Sequence, residues 1–510
     1  MKNKSVILQI GLLQYEPAWE LLLRQIGISW KVISAEEDLS QHYSVVVVNA
    51  DTNDSIKLSI DAYAADGGAV LYTTSALNHK HSKVVKKKYI SSLPPVRNSS
   101  YTTNNILDIY KVCYFFSNND IVEIEPVGNG YKAYLGIPCD IILSIDTKRK
   151  NFYTDSARMP NEIVAHRAKG TFRQLIFSLL VHLHQIQNIP FVHKWYYPNG
   201  APTIFTFRID SDKGTQEQIE EIFQLSEKYS IPTTWFLDVK SHESWIEYFK
   251  KFKFQEVAVH CYEHAISQSR EVNFENFSKA KSILKRSGID INGFSAPTGI
   301  WTESLASTIE EMGFQYSSEF GFDYDNFPSF PFHSGKFSTV PQMPIHPICI
   351  GSMLRAHLSV NEMILYYKKI IDTNLALKEP ICLYHHPTHR HNEVFEEIFS
   401  YIQKKNILTL SYSEYAMWWK KRDAEVNQLK YEGNELIPLY RTSDDTYTRI
   451  ILPDGSETIA VLGKITDLKQ LEFTPSIVKP QISNDIMRSR KFDARHILQN
   501  ALDWWIKTTE

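Results

Sequence analysis

Short apolar runs bounded by turn residues alternate with amphipathic stretches along most of this chain, a pattern of strands followed by helices. Between residues 5 and 80 the runs Val6 to Ile10, Trp30 to Ile33, Tyr43 to Val48 and Ala69 to Thr73 are separated by helical periodicity over 18–26 and 55–65. Such alternation predicts a parallel α/β sheet. Gly67 and Gly68 follow the second helix, where C-terminal glycines stand. Residues 100–165 read as short strands and turns, with Gly128-Asn-Gly130 as one turn, and a helix over about 170–187 closes the region.

Trp195 to Pro202 carries the Pro/Gly punctuation of a domain entrance, and the βα rhythm resumes at Thr203. Strands are predicted over 204–207, 233–237 and 256–259, and helices over 216–229, 243–252 and 273–287. A run of βα units this long is a barrel or a doubly wound sheet, and in either the chemistry gathers at the C-terminal ends of the strands. After a helix over 412–425, residues 435–473 alternate as short strands around a Pro453-Asp-Gly-Ser turn, and a last helix covers 494–506. The expected division is therefore an α/β domain over 1–195, the βα domain over 200–425, and a small β-rich domain with a terminal helix over 430–510.

The 510 residues exceed what one core serves, so more than one domain of roughly 100–200 residues is required. A formal net charge of −3 lacks the basic footprint that phosphate backbones demand, which argues against a nucleic-acid partner. The lysines between Lys83 and Lys88 are a local exception, read as a solvated segment. Five widely spaced cysteines, Cys113, Cys139, Cys261, Cys349 and Cys382, fit reduced thiols better than a disulfide framework. The first residues read as a strand, and the apolar run from Leu175 to His184 is too short to cross a bilayer. A cytoplasmic protein with no membrane span is expected.

Chemistry concentrates at two predicted strand ends. In Thr206-Phe-Arg-Ile-Asp210-Ser-Asp212 two carboxylates two positions apart emerge on one side of a strand tip. About fifty residues on, a second strand ends in His260-Cys-Tyr-Glu-His264, whose i,i+4 spacing places two imidazoles on one side of a helical turn. A carboxylate and two imidazoles suit an open site for a divalent metal, and a second carboxylate suits a general base. The pairs Asp323/Asp325 and His385/His389 repeat these spacings without the same context, and are left out of the site together with His346 and His391.

The order strand-DxD, strand-HxxxH, Pro/Gly loop, strand ending in histidines resembles the polysaccharide deacetylases, the NodB homology domain of carbohydrate esterase family 4, over residues 200 to about 420. The resemblance implies a distorted TIM-like (β/α) barrel and a metal-dependent hydrolase that removes an acetyl or similar acyl group from an N-acetylated sugar. It implies Asp212, His260 and His264 as ligands of a divalent metal, zinc first, with iron, cobalt or nickel as alternatives. It further implies Asp210 as the base, Pro297 and Thr298 as the loop that meets the substrate oxyanion, and His386 in His385-His386-Pro387 as the acid. The segment Ser318 to Asp325 stands for a fourth motif. Two positions depart from the family pattern: Cys261 replaces a Ser or Thr, and Ser295 stands where an arginine orients the base, with Arg208 nearby as its substitute. The partner expected is a carbohydrate or small acetylated substrate. Residues 1–195 loosely resemble flavodoxin-like or glutamine-amidotransferase-like domains, but no nucleophile follows a strand there, so the domain is read as non-catalytic.

Two other readings compete. A catalytically impaired member of the fold would bind a glycan or a partner without turnover. His260-Cys-Tyr-Glu263-His264 also reads as the inverted H-x-x-E-H zinc-protease motif, which needs a helix and leaves the Asp210/Asp212 pair unused. Trp235, Tyr262, Trp301 and Tyr384 could stack on sugar faces, although packing is the commoner use of such residues.

Overall fold

The structure, a computed structural model, describes residues 5–34, 38–76, 121–154, 158–440, 443, 445–475, 498 and 501, and the backbone of short strands at 83–86, 89–90, 107–108 and 112–115. The Lys83 to Lys88 side chains, the Cys113 side chain and nearly all of the expected 494–506 helix lie outside the described residues. Among the described residues no helix is long and apolar enough to cross a membrane.

The chain forms two compact units, one of residues 1–144, 167–200 and 421–482, the other of 145–166, 201–420 and 483–510. In the first, the strands Ile10–Leu12, Trp30–Val32, Val45–Val48, Ala69–Tyr72 and Gly130–Leu135 are all parallel. Their spatial order is 2-1-3-4-5, the order of flavodoxin-like sheets, with Val122–Val127 added antiparallel at the edge. The apolar run that reads as one strand over 6–10 is split at Gln9 between two sheets: Ser5–Ile7 pairs with Leu429–Glu432, whereas Ile10–Leu12 enters the parallel sheet.

That split bears on the boundaries. The strands between 429 and 475, which the pattern sets apart as a β-rich domain, group with the first unit, because Leu429–Glu432 pairs with Ser5–Ile7 and Tyr447–Ile451 with Phe191–Lys194. Val6, Leu8, Ile189, Val192, Leu429, Leu436 and Ile450 then share one core. Residues 145–166, read as part of the N-terminal domain, group with the second unit instead. Ala165 N–H donates to Phe320 O (2.9 Å) and Ser352 Oγ–H to Glu162 (2.8 Å).

The second unit is built on parallel strands in the order Tyr316–Ser317, Gly293–Phe294, Glu256–Cys261, Thr233–Asp238, Ile204–Asp210 and Ile381–His385, with Leu408–Thr409 alongside Ile204–Asp210. Amphipathic helices at Gln216–Lys228, Arg270–Arg286, Val360–Leu377 and Asn392–Lys404 cover it and enclose a core including Phe207, Trp235, Phe277, Phe294 and Phe399. The outermost strands are linked through an irregular segment. Met343 N–H donates to Ser317 O (2.7 Å) and His346 N–H to Cys382 O (2.8 Å), so residues 341–346 bridge them. The parallel strands form a half-barrel sheet whose outer strands this segment bridges, with non-ideal pairing where Pro341 and Pro344 have no N–H to give.

At the N-terminal end of the barrel strands a single carboxyl group ties several elements together. Glu256 accepts from Tyr316 Oη (2.7 Å), Thr234 Oγ1 (2.8 Å) and Ser413 N–H (2.9 Å). Tyr316 reaches it across Gly293, where a Cβ would lie 2.0 Å from the tyrosine ring, so only glycine fits. Burial pushes the Glu256 carboxyl up to about 7.

The folded state therefore favours protonated Glu256, and the stability it contributes is lost as pH rises from the ordinary 4.5 through about 7. Urea denaturation at about pH 5 and about pH 8 should show the wild-type chain losing about 2 kcal/mol more than Glu256→Gln over that interval. Parallel pH profiles for the two proteins would contradict this assignment.

Candidate functional site

The strand Ile204–Asp210 is buried along its whole length and delivers Asp210 at its tip. Ser211 turns to the opposite side, where its Oγ accepts from Asp238 N–H (2.9 Å) and meets His242 Nε2 (2.8 Å). Asp212 lies in the turn that follows, closed by Gly214 N–H to Ser211 O (2.8 Å). Asp210 and Asp212 thus face the same space, as period two requires.

His260 lies within the strand Glu256–Cys261, and no helix follows until Arg270. The helical turn expected to join His260 and His264 is absent; a tight turn does the work. Asn276 pins it, accepting from the N–H groups of Tyr262 (2.9 Å) and Glu263 (2.7 Å) and donating to the carbonyls of Glu263 (2.9 Å) and Ala265 (3.1 Å). Glu263 points away to Lys240 (2.8 Å) on the surface. With no helix and its glutamate engaged elsewhere, the H-x-x-E-H protease reading falls.

The structure brings Asp212, His260 and His264 together, with ligand atoms of all three within 4.8 Å of one another. Asp212 Oδ1 is 3.2 Å from His260 Nε2, and Oδ2 is 3.2 Å from His264 Nε2. One Asp212 oxygen and the two imidazole nitrogens are thus near enough to share a single ion. His260 Nδ1 lies 2.7 Å from Ser295 O, which can only accept, so Nδ1 carries a proton and Nε2 is the nitrogen turned to Asp212. Asp212 Oδ1 is buried and has no hydrogen bond among the described residues. The Asp212 carboxylate facing His260 Nε2 at 3.2 Å is satisfied by a proton on that nitrogen or by a cation between the two. The donor set fits a divalent metal of the zinc type.

Asp210 takes a different environment. Arg208, on the same face two residues earlier, donates Nε–H to Oδ1 (2.6 Å) and Nη2–H to Oδ2 (2.7 Å), a bidentate clamp with both side chains buried. Burial opposes the carboxylate's charge, but Arg208 and the nearby imidazoles outweigh it and hold the carboxyl below its ordinary range. Arg208 Nη1 also donates to Ser318 O (2.7 Å), the carbonyl that accepts from Ser295 Oγ (3.2 Å). A small residue at 295 and an arginine at 208 thus converge on one carbonyl. The guanidinium expected from the loop arrives from the strand.

His386 Nε2 lies 3.6 Å from Asp212 Oδ2 and 3.9 Å from Asp210 Oδ2. Its neighbour His385 is fully buried, points elsewhere and is held neutral by burial. Burial works against an imidazolium at His386, yet Cys349 beside it, with Asp212 and Asp210, raises it to about 9. Pro297 and Thr298 follow Ser295 after Ala296, Pro297 buried and Thr298 exposed in a left-handed conformation (φ 58°). Trp235, Trp301 and Tyr384 are core residues, leaving Tyr262 as the partly exposed aromatic of the four. In the Ser318 to Asp325 segment, Asp325 engages His346 Nδ1 (2.9 Å), so His346 is structural and Ser318 is what reaches the site.

Cys349 and His389 escape sequence reasoning. Both stand beside His386, although neither strand pattern nor spacing joins position 349 to 386. The HxxxH spacing of His385 and His389 was visible, but it pairs the wrong histidine with His389.

Neither a family model nor a curated protein matches the sequence. Solved structures similar to part of the chain include a protein of Mycobacterium smegmatis assigned to the polysaccharide deacetylases, 14% identical over 44% of this chain and 93% of that one, with a TM-score of 0.37. Another, from Pseudomonas aeruginosa PAO1 and assigned likewise, is 15% identical over 44% and 93%, with a TM-score of 0.38. A carbohydrate esterase family 4 pseudoenzyme from Bacillus anthracis is 14% identical over 43% and 66%, with a TM-score of 0.32.

Removing one partner of a buried ion pair leaves an uncompensated charge, at a loss of about 3–5 kcal/mol. Arg208→Gln should lower the urea-denaturation free energy by that amount, and Arg208→Gln with Asp210→Asn should recover most of it. A single variant as stable as wild type would show the clamp to be dispensable.

Proposed function

We propose that the chain is a metal-dependent hydrolase that removes an acetyl group from a small N-acetylated sugar, with Asp212, His260 and His264 holding the metal. One observation carries this reading: Asp212 and the Nε2 atoms of His260 and His264 converge, with Asp212 Oδ1 3.2 Å from His260 Nε2 and the opposite ring nitrogen of His260 committed to Ser295 O. A divalent cation bound there supplies a Lewis acid that polarises the substrate carbonyl and acidifies a water.

The protein's own groups do the rest. Asp210, kept ionised by Arg208, takes a proton from the attacking water. His386 Nε2, on the side facing both aspartates, gives a proton to the departing nitrogen. The Thr298 N–H, held in a left-handed conformation three residues after Ser295, donates to the carbonyl oxygen as charge develops there. Ser295 acts through its backbone, orienting His260 by accepting from Nδ1.

A second reading, a member of the fold that binds without turnover, is favoured by the same clamp. Both Asp210 oxygens already accept from Arg208, and a carboxyl held below its ordinary range is a weak base.

Metal analysis of the purified chain, followed by acetate release from a panel of acetylated sugars, separates the two. Zinc should be retained, His260→Ala should lose it from this site, and Asp210→Asn should keep it while acetate release falls at least about a hundredfold, the scale of a lost general base. Metal retention with no acetate from any sugar would favour the binding reading, and no metal at all would sink the hydrolase.

A further inference from the structure

We propose a second metal site, formed by Cys349, His386 and His389 and joined to the first through His386. It goes beyond the hydrolase reading and does not depend on it, since its ligands other than His386 take no part in that chemistry. One thiol and two imidazoles present ligand atoms within 4.8 Å of one another. Cys349 Sγ is 3.9 Å from His389 Nδ1, long for a hydrogen bond but close to the roughly 3.6 Å that separates sulfur and nitrogen around a tetrahedral zinc with bonds of about 2.3 and 2.0–2.1 Å.

His386 supplies the independent observation. Its Nε2 faces Asp210 and Asp212, while its Nδ1 is buried without a hydrogen bond among the described residues. The Cys349 thiol stands beside this ring, and a metal held by the thiol and the buried nitrogen would satisfy both. The surrounding backbone is arranged for it. Cys349 stands immediately before the helix Ile350–Arg355, and His389 ends the turn Pro387–His389, where its N–H donates to His386 O (3.0 Å). The two segments press together at Gly351, where a Cβ would lie 2.4 Å from His389 Cε1. Glycine there lets the imidazole come down beside the thiol. Val164, Phe320, Ile345 and Tyr384 pack around Cys349 on the apolar side, while His386 and His389 are only partly buried.

Three protein ligands with one side open are the pattern of a site that keeps a position for water or substrate. A metal on Nδ1 would also fix the His386 proton on Nε2, the edge that faces the first site, as outer ligands fix the tautomer of metal-bound histidines.

The test is to load the full-length chain with Zn(II) or Co(II), dialyse it exhaustively and count the metal by mass spectrometry. Two equivalents per chain are expected. Cys349→Ser and His389→Ala should each lose one and keep the other, whereas His260→Ala should lose the one that those variants keep. The Co(II) form should show a thiolate-to-cobalt charge-transfer band in the near ultraviolet that Cys349→Ser abolishes. Zinc-edge X-ray absorption of the wild-type chain needs no variant and should show a sulfur scatterer at about 2.3 Å. One equivalent with no sulfur signature overturns the second site while leaving the first standing. Two equivalents that both survive Cys349→Ser overturn it equally.

Discussion

The site depends on one buried ion pair. Arg208 and Asp210 lie on a strand sealed along its length, and neither charge is tolerable there without the other. Pairing them two residues apart on one face means that the strand itself brings both, and no long loop must be ordered to complete the pair. The guanidinium is packed against Phe236 (4.9 Å) and Tyr384 (5.7 Å), from the strands on either side. Its third nitrogen reaches Ser318, whose Oγ donates to Met343 O (3.2 Å) in the segment that bridges the outer strands. The pair is thereby fastened to the strands on both sides and to the irregular bridge opposite.

That fastening divides the two aspartates. Asp210 has both oxygens committed to Arg208, whereas Asp212 faces only histidines. The same residue type two positions apart therefore ends in opposite surroundings: one carboxylate is neutralised by a fixed guanidinium, the other faces imidazoles. The division has a chemical consequence. A clamp that guarantees ionisation also withdraws basicity, so Asp210 is well positioned and weakly basic at once.

Much of this was legible in the residues, because the chemistry sits where period-two strands end and strand ends are visible as apolar runs. Asp210, Asp212, His260 and His264 follow directly from such runs. The role of Arg208 was legible as well, since residues 208 and 210 share a face by the same rule. What was hidden depends on contacts distant in sequence. The junction of His260 and His264 rests on Asn276 in the following helix, which no spacing rule singles out, and i,i+4 suggested a helical turn instead. The segment 341–346 bridges the outer strands by single hydrogen bonds between prolines, without the β-rich run that marks a strand. The pairing of Ser5–Ile7 with Leu429–Glu432 joins residues at opposite ends of the chain, so the small β-rich segment reads as separate when its partners are not adjacent in sequence.

The placement of polar groups along the barrel explains how such a site is sustained. At the C-terminal ends of the strands, buried groups are left incomplete: Asp212 Oδ1 and His386 Nδ1 lack hydrogen-bond partners among the described residues. At the N-terminal ends the opposite holds, and Glu256 has its acceptors filled by Tyr316, Thr234 and Ser413. Unmet polar demand destabilises a fold wherever it is buried, and is tolerated where the surrounding scaffold over-determines the geometry. The strand Glu256–Cys261 carries both conditions at its two ends, Glu256 at the saturated one and His260 near the unsaturated one. A saturated end can hold the strand in register while the other end keeps His260 turned to Asp212. Removing the demand at the site by substitution to apolar residues is therefore compatible with a stable barrel, whereas loss of the saturated network would release the strand that aims His260.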